Sequence, residues 1–203
     1  MTTKTTTTKT TNRKKPEVVK GPSQKIPDLP RNPFMFEILD VVSKQRTKSK
    51  KIQALKKFEE VSFKMVLLWN FDESVISMLP PGDVPYSQYD EQTTSSGTFS
   101  TKLTQDIRNM HETGSFSLGV SDTQGRTTIR RECKNFYNFV KGGNDGMNSI
   151  RRESMFINLL QGLHPLEAEI LCLVKDKKLG EKYNLTKEIV AEAYPDMVWG
   201  GRS

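Results

Sequence analysis

The chain is poor in the residues that carry most covalent and metal chemistry: two cysteines and two histidines among 203 residues. Cys133 and Cys172 stand far apart, and neither His111 nor His164 has a second ligand at a short interval. The paired spacings of zinc sites are therefore missing, and thiol and imidazole chemistry is thinly supplied. Two free thiols in a core are the expectation for these cysteines, since a disulfide framework does not suit a reducing compartment. No apolar run approaches the ~18–20 residues that cross a bilayer. The opening MTTKTTTTKTTNRKK lacks the apolar centre of a secretion signal, so a soluble intracellular protein is expected. Also absent are the Walker spacing, the nucleophile elbow, HExxH, the kinase set and the dinucleotide fingerprint. In VKGGNDG the lysine precedes the glycines, which makes a helix C-cap the simpler reading. Asp72, Glu73 and Asp83 are too irregular for a calcium loop. Carboxylates are scattered singly among lysines, as on a solvated surface. The expectation is no enzyme, no cofactor and no metal.

Apolar content is low as well, 34%, and about 40% when glycine is counted, against the usual 45–50%. Part of the length should therefore lie outside any core. The net charge of +7 is concentrated at one end. Residues 1–31 hold eight basic side chains against Glu17 and Asp28, which leaves the other residues almost balanced. The same stretch is rich in threonine and punctuated by Pro16, Pro22, Pro27 and Pro30. With so little aliphatic surface it cannot offset its ordering entropy, and a disordered basic arm is expected. Such an arm either meets nucleic acid through counterion release or keeps the protein soluble. Its candidate phosphate contacts are Lys4, Lys9, Arg13, Lys14 and Lys15.

What the sequence does contain is helical period. From Ser149 to Val198 three helices are expected in a row. Phe156, Ile157, Leu160 and Leu163 form one stripe and Leu166, Ile170, Leu173 and Val174 the next, with Pro165 at the first position of the second helix. Thr186 caps a helix to Tyr194, and Pro195 closes it. A helix-turn-helix is disfavoured, because Lys175 to Leu185 is far longer than that motif's turn of about 3–4 residues. An earlier block, 32–86, should hold a helix capped by Asn32-Pro33, a basic amphipathic helix over 46–60 with a solvated lysine face, and a buried helix from Ser62. Pro80, Pro81 and Pro85 then force an extended run. Residues 87–126 read as a flexible insert in which TFSTKL and SFSLGV pair around Gly114.

The stretch RTTIRRECKNFYNFVKGG reads as a helix capped by Thr127 or Thr128. It should expose Arg130, Arg131 and Lys134 and bury Ile129, Cys133, Phe136, Tyr137 and Val140. Basic and aromatic residues interleave here, which suits single-stranded nucleic acid. An ordinary helix with an aromatic core side and a basic outer side accounts for it as well. Arg151 and Arg152 add two cations at the start of the next helix.

FDESVISMLPPGDVPY, FYNFVKGG, RRESMFINLLQGLHPLEAEILCLVKDKKL and the closing LTKEIVAEAYP together resemble a family of small uncharacterised proteins of tailed phages, notably those infecting marine cyanobacteria. The resemblance covers residues 33–86 and 126–198, and the arm and the 87–126 insert depart from it. It implies a viral protein made in the host cytoplasm and transfers no site residues. The combined expectation is a mainly α fold: six or seven helices from the 32–86 and 127–203 blocks packed as one domain, behind a disordered arm and around a flexible insert. In function it is a non-enzymatic phage accessory protein that binds nucleic acid or a replication or transcription component. The alternative is a virion or assembly protein. No membrane partner is expected, and oligomeric state is left open.

Overall fold

The structure, a computed structural model, describes residues 25–89, 94–112 and 127–201. Most of the basic arm, including Lys4, Lys9, Arg13, Lys14 and Lys15, lies outside them, as does SFSLGV with Gly114. The described chain is mainly α, as its periods predict. It runs α1 (Met35–Ser43), α2 (Lys48–Lys57), α3 (Val61–Phe71), a two-stranded antiparallel hairpin β1 (Pro85–Tyr89) and β2 (Thr94–Thr98), and α4 (Phe99–Glu112). After these come α5 (Ile129–Glu132), a 3-10 helix (Cys133–Phe139), α6 (Ser149–Gly162), α7 (Pro165–Lys175), α8 (Leu179–Tyr183) and α9 (Lys187–Ala193).

Two of these helices lie where none was expected. The insert pairs earlier than the sequence reading has it: Pro85 faces Thr98, and TFSTKL leaves β2 at once to begin α4. Phe99, Leu103, Ile107 and Met110 carry a helical period that a strand reading of TFSTKL obscures. The polar DKKLGEKYN stretch contains α8, closed by Asn184 in the left-handed region at φ 50°. At α1 the N-cap is Phe34 rather than Asn32. The buried Glu37 supplies the missing cap by accepting from the Phe34 N–H at 2.8 Å.

Residues of both blocks share one hydrophobic core. α3 lies at its centre, with Phe63, Val66, Leu67 and Trp69 all buried, and packs on α7. The Trp69 ring meets Phe136 at 5.3 Å and stacks on Phe139, which in turn stands edge-on to Phe156 at 5.3 Å. This aromatic line ties α3, the 3-10 helix and α6 together. The Tyr194 hydroxyl donates to the Leu55 carbonyl at 2.6 Å and fixes the end of α9 against α2.

Several lysine ammonium groups cross-link segments by donating to backbone carbonyls. Lys177, in the left-handed region at φ 61°, donates to the Trp69, Asp72 and Val75 carbonyls and so closes the C-terminus of α3. Lys175 holds the Pro80 carbonyl at 2.8 Å and the Gly82 carbonyl at 2.9 Å. Lys51, on the expected lysine face of α2, is buried and donates to the Asn184 carbonyl. No helix among the described residues is long and apolar enough to cross a membrane.

Candidate nucleic-acid interface

α5 starts where Thr128 caps it, its side chain accepting from the Arg131 N–H. A second acceptor comes from across the fold. The buried Glu167, in the first turn of α7, takes the Ile129 N–H on Oε2 at 2.9 Å and the Met35 N–H on Oε1 at 3.2 Å. One carboxylate therefore serves the first turns of three helices, where the helix dipole favours negative charge. Burial nevertheless pushes its carboxyl up to about 7, against the pull of the two N–H groups and of Arg130.

Beyond Glu132 the helix tightens. Cys133 Sγ bonds the Arg130 carbonyl at 3.3 Å, Asn135 bonds the Glu132 carboxylate at 2.9 Å, and Asn138 bonds the Asn135 carbonyl at 3.0 Å. Each reaches back three residues, Cys133 and Asn138 to a backbone carbonyl and Asn135 to a side chain, which suits i to i+3 closure. The result is a 3-10 helix of seven residues, longer than the usual run of three or four. Side chains three apart eclipse one another in such a helix. Exposure follows that period: Arg131, Lys134 and Tyr137 are exposed, while Phe136 and Phe139 are buried. Tyr137, expected in the core on an α reading, is instead 51% exposed. In an α-helix it would stand about 120° from Arg131.

The candidate cations divide. Arg130 is spent inside the fold: Nη2 donates to Glu60 Oε2 at 2.7 Å and to the Pro33 carbonyl at 2.9 Å. The pair holds Glu60 below the ordinary carboxylate range, with the Arg130 hydrogen bond as the main cause. Arg152 is buried, and its guanidinium donates to the Asn138, Asn144 and Met147 carbonyls. It thus organises the loop from Val140 to Asn148 and cannot meet a phosphate. Arg130 and Arg152 are therefore removed from the contact set. Arg131, Lys134 and Arg151 remain exposed and enter no ion pair among the described residues. Arg152's reach to Asn138 brings the start of α6, with Arg151 and the exposed Ile150, to the end of the 3-10 helix.

That loop also positions Tyr137. A Cβ on Gly143 would lie 2.0 Å from the Tyr137 carbonyl oxygen, so only glycine lets the loop lie against the 3-10 helix. Elsewhere Lys48 is paired with Glu192, Lys57 with Asp28, Lys64 with Glu59 and Asp196 and Lys182 with Glu169, while other exposed cations such as Arg46, Lys56 and Lys141 enter no ion pair among the described residues.

Other chemistry-bearing groups are committed to packing. His164 is buried, caps α7 by accepting the Leu166 N–H on Nδ1 at 3.2 Å, and lies against Phe34 and Phe36. Burial lowers its imidazole to about 4, which leaves the neutral acceptor form near neutrality. Cys133 and Cys172 are free and only partly buried, and burial raises the Cys172 thiol to about 12. An open cleft of about 540 Å³ runs beside Glu73, Ser77, Gly82 and Lys175 to Lys178. The ammonium groups of Lys175 and Lys177 there are already bonded to backbone carbonyls. Among the described residues no cluster of three or more His, Cys, Asp or Glu side chains is placed to hold a metal ion.

A family model matches the chain over residues 38–124 and 117–181, from within α1 into α8. The matched range runs through 87–124, the stretch set apart above as an insert. No curated protein and no solved structure shows significant similarity. With well over half its length matched, the chain belongs to a family of unknown function (DUF6433).

Proposed function

We propose that this protein is a non-enzymatic accessory protein of a tailed phage, acting in the host cytoplasm by binding nucleic acid. The observation that carries the reading is the exposed set Arg131, at the end of α5, with Lys134 and Tyr137 on the 3-10 helix that continues it. Unpaired cations beside an exposed ring are the elements of a surface that tracks a phosphate backbone. The viral and cytoplasmic part rests on the sequence resemblance. Lys4, Lys9, Arg13, Lys14 and Lys15 would add sequence-independent phosphate contacts from the arm.

Fluorescence anisotropy of labelled oligonucleotides with the full chain, across a salt series, tests this. Affinity should fall linearly in the log–log plot. Arg131→Ala with Lys134→Ala should flatten the slope by about 1.4 on single strands. Glutamine at the five arm cations should flatten it further, by up to about 3.5. Salt-independent binding, or none, sinks the reading. The alternative reading is a virion or assembly component, and the exposed Val61, Ile150 and Val198 stand on separate elements. Stoichiometric presence in purified particles by mass spectrometry would select it.

A further inference from the structure

Resting on that reading, we propose that the ligand of the Arg131, Lys134 and Tyr137 row is a single strand, with phosphates on the two cations and one base stacked on the Tyr137 ring. The 3-10 geometry sets Lys134 and Tyr137 on one line about 6 Å apart along the axis. A cation and a ring at that spacing meet a backbone and a base of the same strand. A duplex offers such a row only phosphates, because its base faces are already stacked inside the helix. The ring would then remain half wetted, with nothing to cover it.

The geometry also sets a line for the strand. Arg131 and Lys134 precede the ring, and Gly143 and the Arg152-held loop close the far end, where Arg151 and Ile150 stand. The strand therefore runs along the row over Tyr137 toward the start of α6. Charge complementarity supports this occupant: the row's two cations and Arg151 enter no ion pair among the described residues. Ring stacking tolerates any base, so the binding is general in sequence.

The test uses the full chain with labelled oligothymidine, oligouridine and a DNA duplex of equal length, at one fixed salt concentration. Both single strands or either one should bind at least tenfold more tightly than the duplex, and the tighter of the two names the source. Tyr137→Ala should lower single-strand affinity about tenfold or more and leave duplex binding unchanged. Tyr137→Phe should retain the wild-type value, since the ring and not the hydroxyl does the stacking. Tyr137 is half exposed, so both variants should keep the wild-type circular dichroism and melting temperature. Equal affinity for strand and duplex, or an unaffected Tyr137→Ala, overturns this inference and leaves the nucleic-acid reading standing. Absence of salt-dependent binding to all three probes overturns both.

Discussion

Glu167 and His164, one turn apart on α7, show how single residues are used here. Burial raises the Glu167 carboxyl from 4.5 to about 7, so the folded protein holds that proton more tightly than the unfolded chain. Its contribution to stability is greatest below pH 4.5 and is lost as pH rises through 7. Burial lowers His164 from 6.5 to about 4, so its contribution is full above pH 6.5 and is lost as pH falls through 4. Between pH 4.5 and 6.5 the two oppose each other, each by up to about 1.4 kcal/mol per pH unit. Urea melts across this window should show a stability that rises more steeply with pH in Glu167→Gln than in wild type, because the opposing Glu167 carboxyl is gone. In His164→Asn, which keeps an N-cap acceptor, stability should fall with pH relative to that variant. Parallel slopes in the two would refute the assignment. Neither shift was legible in the sequence, where His164 reads only as a helix junction. Its burial comes from Phe34 and Phe36, more than 120 residues earlier.

At the scale of elements, the 3-10 helix is the least legible and the most consequential. RRECKNFYNF has an apolar spacing that fits an α-helix, and the tighter turn is accompanied by bonds from Cys133 and Asn138 to carbonyls three residues earlier and from Asn135 to the Glu132 carboxylate. Asn at three-residue spacing was the available signal. The loop that follows makes the dependence testable. Gly143→Ala drives a methyl against the Tyr137 carbonyl and should cost roughly 2 kcal/mol or more, with weakened nucleic-acid binding. Gly146→Ala, three residues on, meets nothing within 4 Å and should stay within about 0.5 kcal/mol of wild type. Thermal melts of the pair separate a required close approach from general loop sensitivity. The helices α3, α6 and α7, in contrast, follow their periods closely. Their stripes bury Phe63, Val66 and Leu67, then Phe156 and Leu160, then Ile170 and Val174.

On the scale of the molecule, the positive charge has two uses that composition cannot separate. Some cations are structural: Lys51, Lys175, Lys177, Arg130 and Arg152 bind backbone carbonyls of distant segments. Others stay on the surface. Lys177 joins the end of α3 to the α7–α8 turn, so Lys177→Met should lower stability by about 2–3 kcal/mol, since hydrogen bonds from a charged group are among the stronger ones. In a chain of this size that is a fall of several degrees in Tm. Lys178→Met, at the neighbour whose ammonium holds no carbonyl among the described residues, should leave Tm nearly unchanged. Equal effects at the two positions would show that the carbonyl contacts contribute nothing.

The amino-acid sequence by itself determined the helical character and the boundary between α6 and α7, because periodicity and Pro165 act on the chain within a few residues. Only the tertiary structure decided which arginines and lysines face outward. The carbonyls and carboxylates that hold Arg130, Lys51 and Lys175 come from remote segments, and the 3-10 register that turns Tyr137 to solvent is not displayed by a linear pattern.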